Sequence, residues 1–189
     1  MNAEAATFED FAQDAVRTLI AHIGEDPKRE GLRDTPARVV RALVEMTEGY
    51  RQDPRAILAR TFGDIPYDGM VVLDGIEFTS LCEHHMLAFT GTARVAYVPR
   101  AGGTVVGISK LARLVHCFAR RLQVQERMTV QIADAIRDVL DPLGVGVVLK
   151  ARHLCMSCRG VRASAEMTTS VLYGALRDEP AARAEFMGL

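Results

Sequence analysis

Apolar residues recur at helical spacing from the start of the chain. Phe8, Phe11, Ala15, Leu19 and Ile23 fall on one face of an amphipathic helix that Gly24 stops. The charged stretch from Glu25 to Asp34 carries Pro27 and Gly31 and reads as a loop. Thr35-Pro36 opens a second helix, with Thr35 as N-cap and Pro36 at the first helical position. Val39, Val40, Leu43 and Met46 form its stripe, and Gly49 ends it. Residues 52–69 hold Pro54, Gly63, Pro66 and Gly69 and read as a linker with one helical turn.

Beyond that linker the pattern shifts to strands. Met70 to Leu81 is rich in Val, Ile and Phe, with a turn signal at Asp74-Gly75. Thr90 to Val98 forms a second strand, after a turn near Met86 to Phe89, and the segment from Arg100 to Gly103 ends it. Two helices follow, striped by Leu111, Leu114, Val115, Phe118 and Leu122 and then by Met128, Ile132, Ile136 and Val139; Pro142 and Gly144 close the second. Val145 to Cys155 and Thr168 to Leu176 are two further strands, and Pro180 begins a short terminal helix. Strands paired around two helices predict an α+β fold with a four-stranded antiparallel sheet and two helices inserted between the strand pairs. The division expected is a helical region and linker over residues 1–69 and a second domain over residues 70–189.

Composition narrows the class. The chain has 189 residues, half of them apolar, enough to bury a core without disulfides. Its 23 basic and 24 acidic residues leave a net charge of −1, which does not suggest nonspecific nucleic-acid binding. No apolar run approaches a membrane span, and the acidic, alanine-rich stretch from Met1 to Asp10 is unlike a signal peptide, so a cytoplasmic protein is expected. In a reducing compartment its four cysteines read as thiols or ligands.

Those cysteines cluster with histidines. Cys82-Glu83-His84-His85 and His153-Leu154-Cys155-Met156-Ser157-Cys158 hold three of the four cysteines and three of the five histidines. Thiolate and imidazole suit Zn²⁺, and Cys82-x-x-His85 is a common local spacing for it. Strand alternation would put Val145, Val147, Leu149, Ala151, His153 and Cys155 on one face, with the polar pair at the strand's end. Three ligands, Cys82, His85 and Cys155, would leave a corner for water. Adding Cys158 would close a structural Cys₃His site with no chemistry. Spacing leaves both open. Cys117, mid-helix, reads as a small core residue.

Two further groups carry ligand chemistry. Gly107-Ile108-Ser109-Lys110 precedes a helix with Ser109 as its N-cap, and Lys110 and Arg113 project from one side of the first turn. The group reads either as a phosphate site or as a capped helix with solvated cations. Arg120, Arg121 and Arg127 surround Gln125-Glu126. A glutamate there could pair with an arginine, or accept the two adjacent donors of guanine, N1–H and the N2 amino group.

Together these segments resemble the GTP cyclohydrolase I family. The matching stretches are Asp34-Thr-Pro-Ala-Arg38, Cys82-Glu-His-His85, Gly107-Ile-Ser-Lys110, Gln123-Val-Gln-Glu-Arg127 and His153-Leu-Cys155 with Arg159-Gly-Val161, in the family's order over roughly residues 8–187. The resemblance implies one Zn²⁺ per subunit held by Cys82, His85 and Cys155, the open alternative; Cys158 stands where the family usually has a nonligand, often Met. It implies His84, His153 and Ser109 as catalytic residues. Ser109, Lys110, Arg113 and Arg159 would hold the triphosphate of GTP, with Arg38 reaching it from another subunit, and Gln125 and Glu126 would recognise guanine. The implied reaction is hydrolysis at C8, release of formate and reclosure to 7,8-dihydroneopterin triphosphate, the first step towards tetrahydrofolate and other pterins. The implied architecture is the tunnelling fold, in a homodecamer of two stacked pentamers with active sites between subunits. The rival readings are a scaffold with a closed zinc, and another tunnelling-fold enzyme such as a pterin synthase or a nitrile reductase; the phosphate cluster favours a triphosphate substrate.

Overall fold

The computed structural model describes residues 7–63, 67–101 and 105–188. Its contacts form two compact units, Met1–Thr47 and Glu48–Leu189. In the first, α1 (Phe8–His22) packs against α2 (Thr35–Met46). A capping box starts α1: Asp10 N–H donates to the Thr7 hydroxyl at 3.3 Å, and the Asp10 carboxylate accepts from Thr7 N–H at 2.8 Å. The N-cap of α2 is Asp34 and not Thr35, which is already helical, and no side chain caps it. A 3₁₀ turn, Glu30–Leu32, lies in the expected loop.

The second unit opens with a 3₁₀ turn at Glu48–Arg51, and α3 (Pro54–Leu58) is the single helical turn expected in the linker. Asp53 caps it by accepting from Arg55 N–H at 2.9 Å. The linker also supplies β1 (Thr61–Phe62); the Pro66 signal lies outside the described residues. The long strands are β2 (Val71–Cys82) and β3 (Ala88–Val98). Asp74-Gly75 does not turn the chain. It is an irregularity in the β2–β3 register between Leu73 and Ile76, where Gly75 takes φ 69°. The short β4 (Val105–Val106) pairs with β1. Helices α4 (Ile108–Ala119) and α5 (Gln125–Leu140) flank β5 (Leu122–Gln123). Strand β6 (Gly144–His153), α6 (Leu154–Ser157), β7 (Glu166–Gly174), α7 (Ala175–Asp178) and α8 (Pro180–Met187) complete the chain.

The main sheet has five strands in the order β5-β2-β3-β6-β7. The four expected strands are antiparallel neighbours. The correction is β5: Leu122 is not part of the α4 stripe, and Leu122–Gln123 pairs parallel with Leu81–Cys82, making the sheet mixed. Alternation along β2 and β3 puts Ile76, Phe78, Ala93, Val95 and Tyr97 in the core against Leu111, Leu114 and Val115 of α4 and Met128, Ile132 and Ile136 of α5. Glu77, Thr79, Thr90 and Thr92 stay exposed on the other face. Strand β6 is buried on both faces, because Val148 joins a second cluster with Ala96, Leu176 and Phe186. Its near-continuous apolar run reflects that.

The direction of α4 decides where its ends lie. His116 bonds the carbonyl of Glu77 at 3.1 Å, and Leu122 pairs with Leu81, so α4 runs alongside β2 in the same sense. The start of α4 therefore lies towards the Val71 end; Val106 N–H, just before it, donates to the Tyr97 hydroxyl at 2.9 Å, and Tyr97 pairs with Val71.

Candidate metal centre and active site

Strand β2 ends at Cys82, and a tight turn follows. Met86 N–H donates to the Cys82 carbonyl at 2.8 Å, Cys82 N–H to the Leu87 carbonyl at 2.9 Å, and Met86 takes φ 54°. The turn folds His85 back onto Cys82. Strand β6 ends nearby, since His153 pairs with Phe89 at the start of β3. Cys155 is not on that strand, as alternation predicted; it sits in the first turn of α6. The result is one cluster: ligand atoms of Cys82, His85 and Cys155 all lie within 4.8 Å of one another. Cys82 is buried, Cys155 half-buried and His85 exposed, so the imidazole flank faces solvent. Cys158 is exposed and outside this group.

The donor set fits Zn²⁺. Burial, and then the facing Cys82 thiol, push the Cys155 thiol up, while Arg159 pulls the other way. A divalent cation between the two sulfurs would remove that penalty. Two thiols and an imidazole with one open flank are the ligands of a catalytic centre more than of a closed structural one.

Around the cluster stand the other histidines. His84 is exposed, with Nδ1 3.8 Å from Cys82 Sγ and Nε2 3.8 Å from the Glu83 carboxylate. His153 lies stacked on Phe89 with its Nδ1 buried and unpaired. Burial holds the His153 imidazole below its ordinary value, and Glu126 opposes this. Glu126 is exposed in the first turn of α5. Gln125 is placed differently. Its side chain is buried, and Nε2 faces the carbonyls of Leu149 and Met167 and the Thr169 hydroxyl, each at 3.1 Å, while Oε1 is buried without a partner.

The cationic group is elsewhere. Gly107, not Ser109, is the N-cap of α4, and no side chain caps that helix. Ser109 is exposed in its first turn. Lys110 and Arg113 line an open groove of about 550 Å³ with Gln52, Asp53, His116 and Arg120. From the His116–Glu77 contact, strand and helix rises place Lys110 on the order of 25 Å from Cys82. Arg159 instead follows Cys155 by four residues and is exposed. Arg38, on α2, pairs with Asp34 at 3.3 Å.

Sequence reasoning missed two supports. One is Phe89 beneath His153, which only the β3–β6 register reveals. The other is the Glu83–Arg127 ion pair, with Arg127 Nε also 3.4 Å from Gln123 Oε1 and Glu83 N–H bonded to the Gln123 carbonyl at 3.0 Å. Glu83 and Arg127 both stand in quoted motifs, but nothing in their spacing joins them.

An α+β chain whose sheet ends gather a solvent-flanked Cys₂His cluster has the makings of a mononuclear zinc enzyme. Residues 12–189 match the family model of GTP cyclohydrolase I. The chain is 52% identical over 185 residues to a GTP cyclohydrolase 1 of Chlorobium phaeovibrioides, covering 97% of this chain and 82% of that one. It is 51% identical over 182 residues to a GTP cyclohydrolase 1 of Streptomyces coelicolor, covering 96% and 90%. A crystal structure of an apo archaeosine synthase QueF-Like matches 53% of this chain and 91% of its own, at 18% identity and a TM-score of 0.40. The chain belongs to the GTP cyclohydrolase I family.

Proposed function

We propose that Cys82, His85 and Cys155 hold the Zn²⁺ with which this family member converts GTP to 7,8-dihydroneopterin triphosphate and formate. Their convergence within 4.8 Å carries the reading. Zinc, when bound, acidifies water and so supplies a nucleophile near neutral pH. The chain's own residues do the rest. Glu126 accepts N1–H and the N2 amino group of guanine, and thereby presents C8 to the open flank of the cluster. His153, fixed on Phe89, and His84, beside Cys82, carry protons to and from N7 and the opened ring. Burial of His153 favours its neutral form, which suits a proton acceptor. Arg159, near Cys155, takes triphosphate oxygens together with Ser109, Lys110 and Arg113.

The two clusters lie at opposite ends of β2, so one chain does not bring both to one GTP. This favours sites completed between copies, with Arg38 also contributed by another subunit. Exposed Phe8, Phe11 and Leu19 on α1, with Ile23 at its C-cap, suit a helix face covered on assembly. The reading is a homodecamer of two pentamers, each closing its sheets as a tunnelling fold, which would also remove the free edge of β7. In it residues 70–189 form the catalytic domain, and residues 1–69 the helical region and linker. Among the described residues no helix is long and apolar enough to cross a membrane, in keeping with a cytoplasmic enzyme. A closed Cys₃His scaffold is disfavoured by the position of Cys158.

The test is zinc-loaded protein mixed with GTP, followed by formate release and by the fluorescence of the oxidised pterin. Both products are expected in equal amounts. Full zinc occupancy with unchanged GTP would refute the proposal.

A further inference from the structure

Cys155 and Cys158 share one turn of chain. Cys155 is in the first turn of α6; Cys158 caps that helix with φ −87° and ψ −15°, its N–H bonded to the Leu154 carbonyl at 2.9 Å. Residues three apart in such a turn face the same side, with Cα atoms about 5 Å apart. A disulfide needs about 4.4–6.8 Å. The following loop holds this turn in place: Gly160 and Arg162 take φ 61° and 53°, and Ala163 N–H returns to the Met156 carbonyl at 3.1 Å. The two thiols differ in access. Cys158 is exposed, while Cys155 is half-buried against Cys82.

We propose that Cys155 and Cys158 are a reversible redox pair that governs metal retention. Oxidation joins them and withdraws Cys155 from the metal cluster; reduction returns it. The oxidant is a peroxide. Hydrogen peroxide takes two electrons from the exposed Cys158 sulfur. Its O–O bond breaks, one oxygen stays as the sulfenic acid and the other leaves as water. The Cys155 sulfur then attacks the Cys158 sulfur. The S–S bond forms, the S–O bond breaks, and the oxygen leaves as water, or as hydroxide when Cys155 begins as the thiolate. Two thiols and one peroxide thus give one disulfide and two waters. With one sulfur lost, Cys82 and His85 alone hold the ion too weakly to keep it.

The inference rests on Cys155 being a metal ligand, so zinc content is measured before any oxidant is added. Zinc-loaded full chain is then titrated with hydrogen peroxide, and released zinc is followed with a chromogenic chelator. After free thiols are blocked, trypsin releases His153–Arg159, which carries both cysteines. This peptide is expected unblocked and lighter by two hydrogens, in step with zinc release, and a dithiol reductant should reverse both. The Cys158→Ser protein should release zinc roughly tenfold more slowly, because no resolving thiol is held one turn away. Equal release from both proteins overturns the proposal, as does a Cys82–Cys155 bridge or a sulfinic acid in place of the expected disulfide. A Cys155→Ser protein that keeps its zinc overturns the metal assignment instead, while the disulfide in the wild-type peptide still reports on the pair.

Discussion

The imidazole of His153 lies flat on the ring of Phe89, with centroids 4.6 Å apart and planes 9° from parallel. The two residues are cross-strand partners at the end of the sheet that carries the cysteines. Phe89 is buried at 1% exposure, so the stack ties the orientation of a half-buried imidazole to the core. Phe89→Leu should keep the fold at a cost of about 1–3 kcal/mol. It should lower kcat by roughly ten- to hundredfold through misplacement of His153. Urea unfolding and steady-state kinetics with GTP check both. In a Phe89→Leu, His153→Ala protein the two losses should not add, since the first acts through the second.

Metal content separates ligands from bystanders. Cys82→Ser, His85→Ala and Cys155→Ser should each lose most bound zinc, whereas Cys158→Ser should keep it. Elemental analysis of dialysed proteins reads this directly. Chelation should abolish formate release from the wild type, and added Zn²⁺ should restore it.

Gln125 offers a contrast with Glu126. Its Nε2 spans two strand carbonyls, on β6 and β7, while Oε1 is buried without a partner. Gln125→Leu removes the side-chain bonds to both strand carbonyls and to the Thr169 hydroxyl and should destabilise by about 1–3 kcal/mol. Glu126→Ala, at an exposed position, should leave stability within about 0.5 kcal/mol while raising the KM for GTP. Denaturation midpoints beside KM values distinguish the two. A Gln125→Leu protein of normal stability and raised KM would instead restore the side chain to guanine recognition.

Gly91 tests the packing beneath the site. A Cβ there would stand 1.9 Å from the Lys150 carbonyl oxygen and 2.7 Å from Ala151. Both are backbone-fixed neighbours on β6, which pairs with this stretch of β3. Gly91→Ala should cost about 3 kcal/mol or more, seen as a lowered Tm or loss of soluble protein.

Much of this was legible in the chain. The order of helices and long strands follows the change of period from 3.6 to 2; donor type and spacing brought out Cys82, His85, Cys155 and Cys158 together, and the family resemblance singled out the first three. What failed was local. Two-residue β5 is too short to show a period, so Leu122 looked like one more turn of α4. Alternation carried Cys155 onto β6 because nothing in His153-Leu154-Cys155 marks the switch to helix. Thr35 and Ser109 are good capping residues that lie inside their helices, whose N-caps are Asp34, itself near helical geometry, and Gly107, in extended geometry. The hydrogen bonds of Gln125 were hidden because its acceptors come from strands 24 and 42 residues away in sequence.

The lengthwise arrangement of α4 beside β2 has a genetic corollary. If Lys110 of one copy serves the sulfur ligands of another, a Lys110→Ala chain and a Cys82→Ser chain are each inert alone yet fail at different ends. Dissociated, mixed and reassembled, they would form hybrids in which some junctions pair an intact anion end with an intact metal end. Two dead alleles would thus rescue one another, whereas two lesions at the same end would not.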